Sequence, residues 1–173
     1  MKSNTEKLLV VMKVLSWIVF IGLIIKAGSF LVSYLVSLRN AIAAKDLYKG
    51  TDLSAYREYG MVTYSFVVGY QVILLIVQSY IAYLLTMLLS NLNILKPFSV
   101  DVFKLMQRIS YAILGVWLVA LVNNIHVGFL EKRYGIPAIY FSLDSIFLAG
   151  IAFVLAQMFK RGIEIQSENE LTV

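Results

Sequence analysis

The chain has no cysteine, which excludes disulfides, thiolate metal sites and cysteine nucleophiles. It has one histidine, His126, and a zinc site or a histidine-based triad needs further ligands or partners around such a ring. The ten glycines are scattered, with none in a phosphate-cradling loop after a strand. Hydrolase and kinase signatures are missing as well. Charge is also scarce. Only 14% of the 173 residues are charged, against about 25% in a typical soluble domain. No enzyme and no cofactor are expected from this inventory.

What is present is apolar. Hydrophobic residues make up 60% of the chain and the mean hydropathy is +0.81, a balance that needs lipid to cover it. No charged side chain occurs from Tyr59 to Leu95 or from Ile109 to Leu130, and each run exceeds the roughly 20 residues that cross a bilayer core. Lipid-exposed backbone must satisfy its own hydrogen bonds, so these runs are helices. The predicted fold is an all-α integral membrane protein: four transmembrane helices in a bundle, over about 10–38, 61–90, 109–130 and 136–160, with a cytoplasmic tail over 161–173. The net charge of +5 is spread over span ends, where lipid headgroups are the natural counter-charge, so direct nucleic-acid binding is not expected.

The first run reads as an uncleaved span. Ala41-Ile42-Ala43 resembles a signal-peptide cleavage site, but the apolar run before it is about twice the 7–15 residues of a signal core. Leu8 to Leu38 as one helix is about 46 Å long, which implies tilt or a projecting end. Between the first two spans, Lys49-Gly50-Thr51-Asp52 supplies turn and capping chemistry for a short helix. The tyrosines at 34, 48, 56, 59 and 64 read as an interfacial aromatic belt. Gln71 and Gln78, seven apart, share one helix face that is expected to turn toward another helix.

Ser99 is a candidate N-cap, with Asp101 in the first turn. Val102, Phe103, Leu105, Met106 and Ile109 then share one face, and Asp101, Lys104, Gln107 and Arg108 the other, predicting an amphipathic entry to the third helix that lies at the bilayer surface. Gly135 and Pro137 are expected to stop the third helix and start the fourth. Four spans place both termini on one side. Lys and Arg number eight on that side and six on the other, and Lys13, Lys104, Arg108, Lys160 and Arg161 abut span ends, so both termini are assigned to the cytoplasm.

Inside the spans, Lys26 and Asp144 are ionisable, and either costs about 2.5–3.5 kcal/mol near a helix centre. Lys26, Gln71, Asn123, Asn124, His126 and Asp144 are expected at similar depth in the outer half of the bundle. Lys26 reaching toward Asp144 would then form either a structural pair or a small ligand or transport site.

The tail has separate physics. Lys160 and Arg161 suit a helix C-terminus, Gly162 is read as ending or bending the span, and Glu164, Glu168 and Glu170 are repelled by an anionic leaflet. The run Phe159-Lys-Arg-Gly162-Ile-Glu-Ile-Gln166-Ser-Glu168-Asn169-Glu170-Leu171-Thr172-Val173 resembles the C-terminal signature of the YoaS-like family of small bacterial membrane proteins, catalogued as a domain of unknown function. Lys96-Pro97-Phe98-Ser99-Val-Asp101, with Leu105 and Arg108-Ile109, is similar to that family's segment before its third span. Glu170 stands where the family commonly has aspartate, and Lys96 where it often has a small or amide residue. The resemblance implies a membrane partner for a small cytoplasmic helix-turn-helix regulator, which members of the family are often encoded beside. Gln166, Glu168, Asn169, Glu170, Leu171, Thr172 and Val173 then form the partner-binding surface, beside the Lys96–Arg108 segment. The rival reading is a small transporter using Lys26, Gln71 and Asp144.

Overall fold

Two stretches rich in turn formers, around residues 40–60 and 135–144, separate long apolar runs. The computed structural model describes residues 4–93 and 98–171, with the side chains of 169–171 outside the description. Its elements are α1 (Asn4–Arg39), a 3₁₀ turn (Ala41–Lys45), α2 (Ser54–Tyr59), α3 (Met61–Asn91), α4 (Val100–Tyr134) and α5 (Ser145–Leu171). The four long helices are each long and apolar enough to cross a membrane.

They form a bundle laid out in chain order. α1 packs along α3, α3 along α4 and α4 along α5, and among the described residues no close approach joins α1 to α4 or α5. Neighbours run antiparallel: Phe20 meets Tyr83 and Tyr34 meets Tyr64 across α1 and α3. Phe66 meets His126 across α3 and α4, and Tyr59 at the end of α2, just before α3, meets Tyr134 at the end of α4. The N-terminal end of α1 and the C-terminal end of α5 therefore emerge at one end, here the terminal end. The connections 40–60 and 135–144 lie at the other, the loop end.

Local chemistry explains most boundaries. Ser99 caps α4, its side chain accepting from the Val102 N–H at 3.3 Å, with Asp101 in the first turn as expected. Gly135 closes α4 in the left-handed region (φ 68°), where a missing Cβ removes the steric cost, and its N–H donates to the Glu131 carbonyl. Before α2, Lys49 and Gly50 both take positive φ, Asp46 accepts from the Gly50 N–H, and Asp52 accepts from the Ser54 N–H. Hydrogen bonding from the Ser54 side chain, and then from its backbone N–H, holds the Asp52 carboxyl below its ordinary range.

The short helix expected in the 40–60 connection is α2, and the connection is packed core, with Ala44, Leu47, Leu53 and Tyr56 sealed at 0–1% exposure. Three expectations are corrected. Tyr56 and Tyr64 are likewise buried instead of sitting in an interfacial belt, because each hydroxyl finds a protein partner. The amphipathic entry does not lie along the bilayer: it is the first part of one continuous helix, and Val102 and Leu105 are buried by protein. Gln78 is exposed, so the Gln71–Gln78 face does not turn inward along its length.

Candidate functional site

The largest departure from the sequence pattern lies at the loop end. The fourth helix was expected from about Ile136, yet residues 135–143 are non-helical and α5 begins at Ser145. Side chains hold this strap in place. The Tyr56 hydroxyl donates to the Pro137 carbonyl at 2.8 Å and accepts from the Ile139 N–H at 3.2 Å. Asn123 donates to the Ile139 carbonyl at 3.1 Å. Asn124 makes a two-point clamp on Phe141, accepting from its N–H and donating to its carbonyl, both at 2.8 Å. The contacts fall on residues 137, 139 and 141, the period of an extended chain. Backbone outside a helix lacks the internal bonds of a helix, and here Tyr56, Asn123 and Asn124 meet the Pro137 carbonyl and both backbone groups of Ile139 and Phe141.

The clasp is itself organised. Asn123 is 1% exposed and also donates to the Asn124 Oδ1 at 3.2 Å, which orients the clamp on Phe141. The Tyr140 hydroxyl donates to Glu131 at 2.7 Å and lies over Gly128, where an added Cβ would sit 3.2 Å from it. Burial pushes the Tyr56 hydroxyl above its ordinary value of 10.0, partly offset by the bond from Ile139, so it stays a neutral donor.

The expected polar cluster divides. Asn123 and Asn124 serve the strap. Lys26 extends toward the loop end, its Nζ 5.8 Å from the centre of the Tyr48 ring. Asp144 is exposed and accepts from the Ser142 hydroxyl at 2.7 Å, just before the first turn of α5, where a carboxylate meets the positive end of the helix dipole. Lys26 and Asp144 form no ion pair, because α3 and α4 stand between their helices. Gln71 is half-buried on α3, seven residues after Tyr64 and so on the face that meets α1. His126 stands edge-on to Phe66 and Tyr70, with ring centres 6.2 and 5.9 Å away, and its buried Nδ1 has no hydrogen-bond partner. Lys26, Gln71 and Asp144 therefore do not converge. Among the described residues no three His, Cys, Asp or Glu side chains gather as a metal site.

The second site is at the terminal end. α5 does not stop or bend at Gly162 but runs as helix to Leu171. Glycine here costs roughly 1 kcal/mol of helix propensity relative to alanine, and packing explains its presence. The Phe98 ring lies so close that a Cβ on Gly162 would come within 2.5 Å of it, and the same ring is 5.3 Å from that of Phe159. Beyond this contact Arg161 pairs with Glu164 at 2.8 Å on an exposed face, followed by Gln166 and Glu168 along the same helix. Asn169, Glu170 and Leu171 continue it as backbone, while Thr172, Val173 and Lys96 lie outside the described residues. Sequence reasoning missed Tyr56, Phe98 and Phe141. The Pro-Phe pair before Ser99 was visible but carried no sign of its partner.

These features define an all-α, multi-pass membrane protein with a clasped connection at one end and a helical extension at the other. The chain belongs to the family described as Protein of unknown function (DUF2975), which matches residues 5–173. The expected membership of a family of unknown function holds at that level. Neither the curated proteins nor the solved structures contain a match.

Proposed function

We propose that this chain is a non-enzymatic regulatory subunit of the cell membrane, with both termini in the cytoplasm, that holds a basic helix-turn-helix regulator against the bilayer. The observation that carries the reading is the unbroken run of α5 through Gly162 to Leu171, seated on Phe98, which gives the acidic end a fixed direction instead of a solvated tail. Glu164 and Glu168 follow Lys160 and Arg161 on this extension, so its charge changes sign away from the apolar span. A basic DNA-binding domain meeting that surface gains encounter rate and register from complementary charge. Held there, it is kept from DNA.

The test is capture of cytoplasmic partners in detergent by the full chain and by a chain ending at Arg161. The full chain is expected to retain a helix-turn-helix protein in a salt-sensitive manner, and the truncated chain to lose it. Equal recovery by both overturns the reading.

A further inference from the structure

The helix that carries the proposed partner surface buries little of its span. Among its described side chains α5 fully buries only Ala149 and Ala156, both small, with half-buried Phe159 against the Phe98 ring. Two contacts set its position along α4. The Ser110 hydroxyl donates to the Ala149 carbonyl at 3.0 Å, and Phe98 sits on Gly162. Its loop-end terminus is tied to the strap, which the side chains of Tyr56, Asn123 and Asn124 keep unwound. The strap sequence, Ile136-Pro-Ala-Ile-Tyr-Phe-Ser-Leu-Asp144, is apolar with proline near its start, and is as compatible with a helix as with an extended chain.

We infer that the strap is a clasp controlling a sliding helix: opening the Asn124 clamp lets residues 141–143 wind onto α5, which then moves along α4 toward the loop end. The arithmetic matches the packing. An extended residue advances about 3.3 Å and a helical one about 1.5 Å, so winding three residues shortens the strap by about 5.4 Å, one helical turn. Packed helices move past each other in steps of about that size. A one-turn step withdraws Gly162 from Phe98 and brings Gln166 to the same place, where only a residue without Cβ fits the present ring position. Phe98 must then swing aside, and the acidic extension is drawn toward the bilayer. An event at the loop end is thereby reported at the terminal end. This inference rests on the proposed role of the extension for its purpose, but its geometry can be read without a partner.

The absence of cysteine makes the test direct. Spin labels placed on Arg108 of α4 and Ile165 of α5, both exposed, report the register of the two helices in the full chain in lipid nanodiscs. Asn124→Ala is expected to shorten the label separation by about 5 Å, as the antiparallel geometry converts a one-turn slide of about 5.4 Å, and to add helix by circular dichroism. Asn124→Asp keeps the acceptor for the Phe141 N–H but loses the donor to its carbonyl, and should populate both distances; it serves if the alanine variant does not fold. A folded variant with the parent's single distance overturns the sliding clasp, whatever the capture experiment gives. A shifted distance together with failed partner capture upholds the clasp and removes only the regulator reading.

Discussion

The Tyr64 hydroxyl of α3 lies 2.6 Å from the Ser37 Oγ of α1, and both residues are fully buried. Ser37 has one hydroxyl proton and gives it to the Tyr34 carbonyl at 2.7 Å, so Tyr64 must be the donor of the pair. The same logic applies beside it. Ser65 donates to the Met61 carbonyl, which leaves the Tyr34 hydroxyl as donor to Ser65 at 2.7 Å. Each helix thus sends a tyrosine to a serine on the other. Losing the acceptor strands a buried donor, whereas losing the donor leaves only a serine lone pair unmet. Ser37→Ala is therefore expected to cost about 1–3 kcal/mol and Tyr64→Phe about 1 kcal/mol or less, an order that thermal unfolding in detergent checks.

Lys26 and Asp144 should behave as strangers. A cation–π contact contributes about 0.5–1 kcal/mol, less than the roughly 2.5–3.5 kcal/mol that a lysine costs near a helix centre. Lys26→Met is expected to leave thermal stability unchanged or raise it. Combining it with Asp144→Asn should give additive effects within about 0.5 kcal/mol. Recovery of a destabilised single variant by the double variant would show a coupling that the present arrangement denies.

Tyr56 makes the strap sensitive to alkali. Its folded value is raised above 10.0, so the stability it contributes is fully present below pH 10.0 and is lost as pH climbs through the raised value. Proteolytic nicking within 136–144 should accelerate above about pH 10 in the parent chain. Tyr56→Phe is expected to lose about 1–3 kcal/mol at neutral pH, through the two groups it leaves unmet, and to flatten the alkaline dependence. An alkaline profile identical in the two proteins would assign the effect to another group.

Gly162→Ala should be destabilising although alanine is the better helix former. Its Cβ collides with Phe98, and overpacking of this kind typically costs about 1–3 kcal/mol against about 1 kcal/mol gained in propensity. Phe98→Ala removes the obstacle, so Gly162→Ala in that background should become neutral or stabilising. A double-mutant cycle reads the sign reversal.

Much of the fold was legible because its signals are local. The first three apolar runs, the Ser99 cap and the Gly135 stop each depend on residues within a turn or two, and each appears where the pattern puts it. The strap was not legible, since Ile136 to Leu143 has the same composition wound or extended. Its state is decided by Tyr56, more than eighty positions upstream of Pro137 in the chain, and by two asparagines on α4. Depth along a span could be estimated for Lys26 and Asp144, but not which helices stand between them. Gly162 was read by the usual rule for helix ends, and the ring that requires a glycine there belongs to a distant segment.

The chain-order layout bears on how the protein is made. Among the described residues each long helix touches only the long helices next to it in sequence, and none waits for a later one to close a ring. During synthesis α3 can dock on α1, α4 on α3 and α5 on α4 as each enters the bilayer. Assembly then proceeds by adjacent pairings with short loop closures, the contact pattern associated with rapid folding. The last helix to arrive is α5, so the acidic extension takes its position only when the other three are in place.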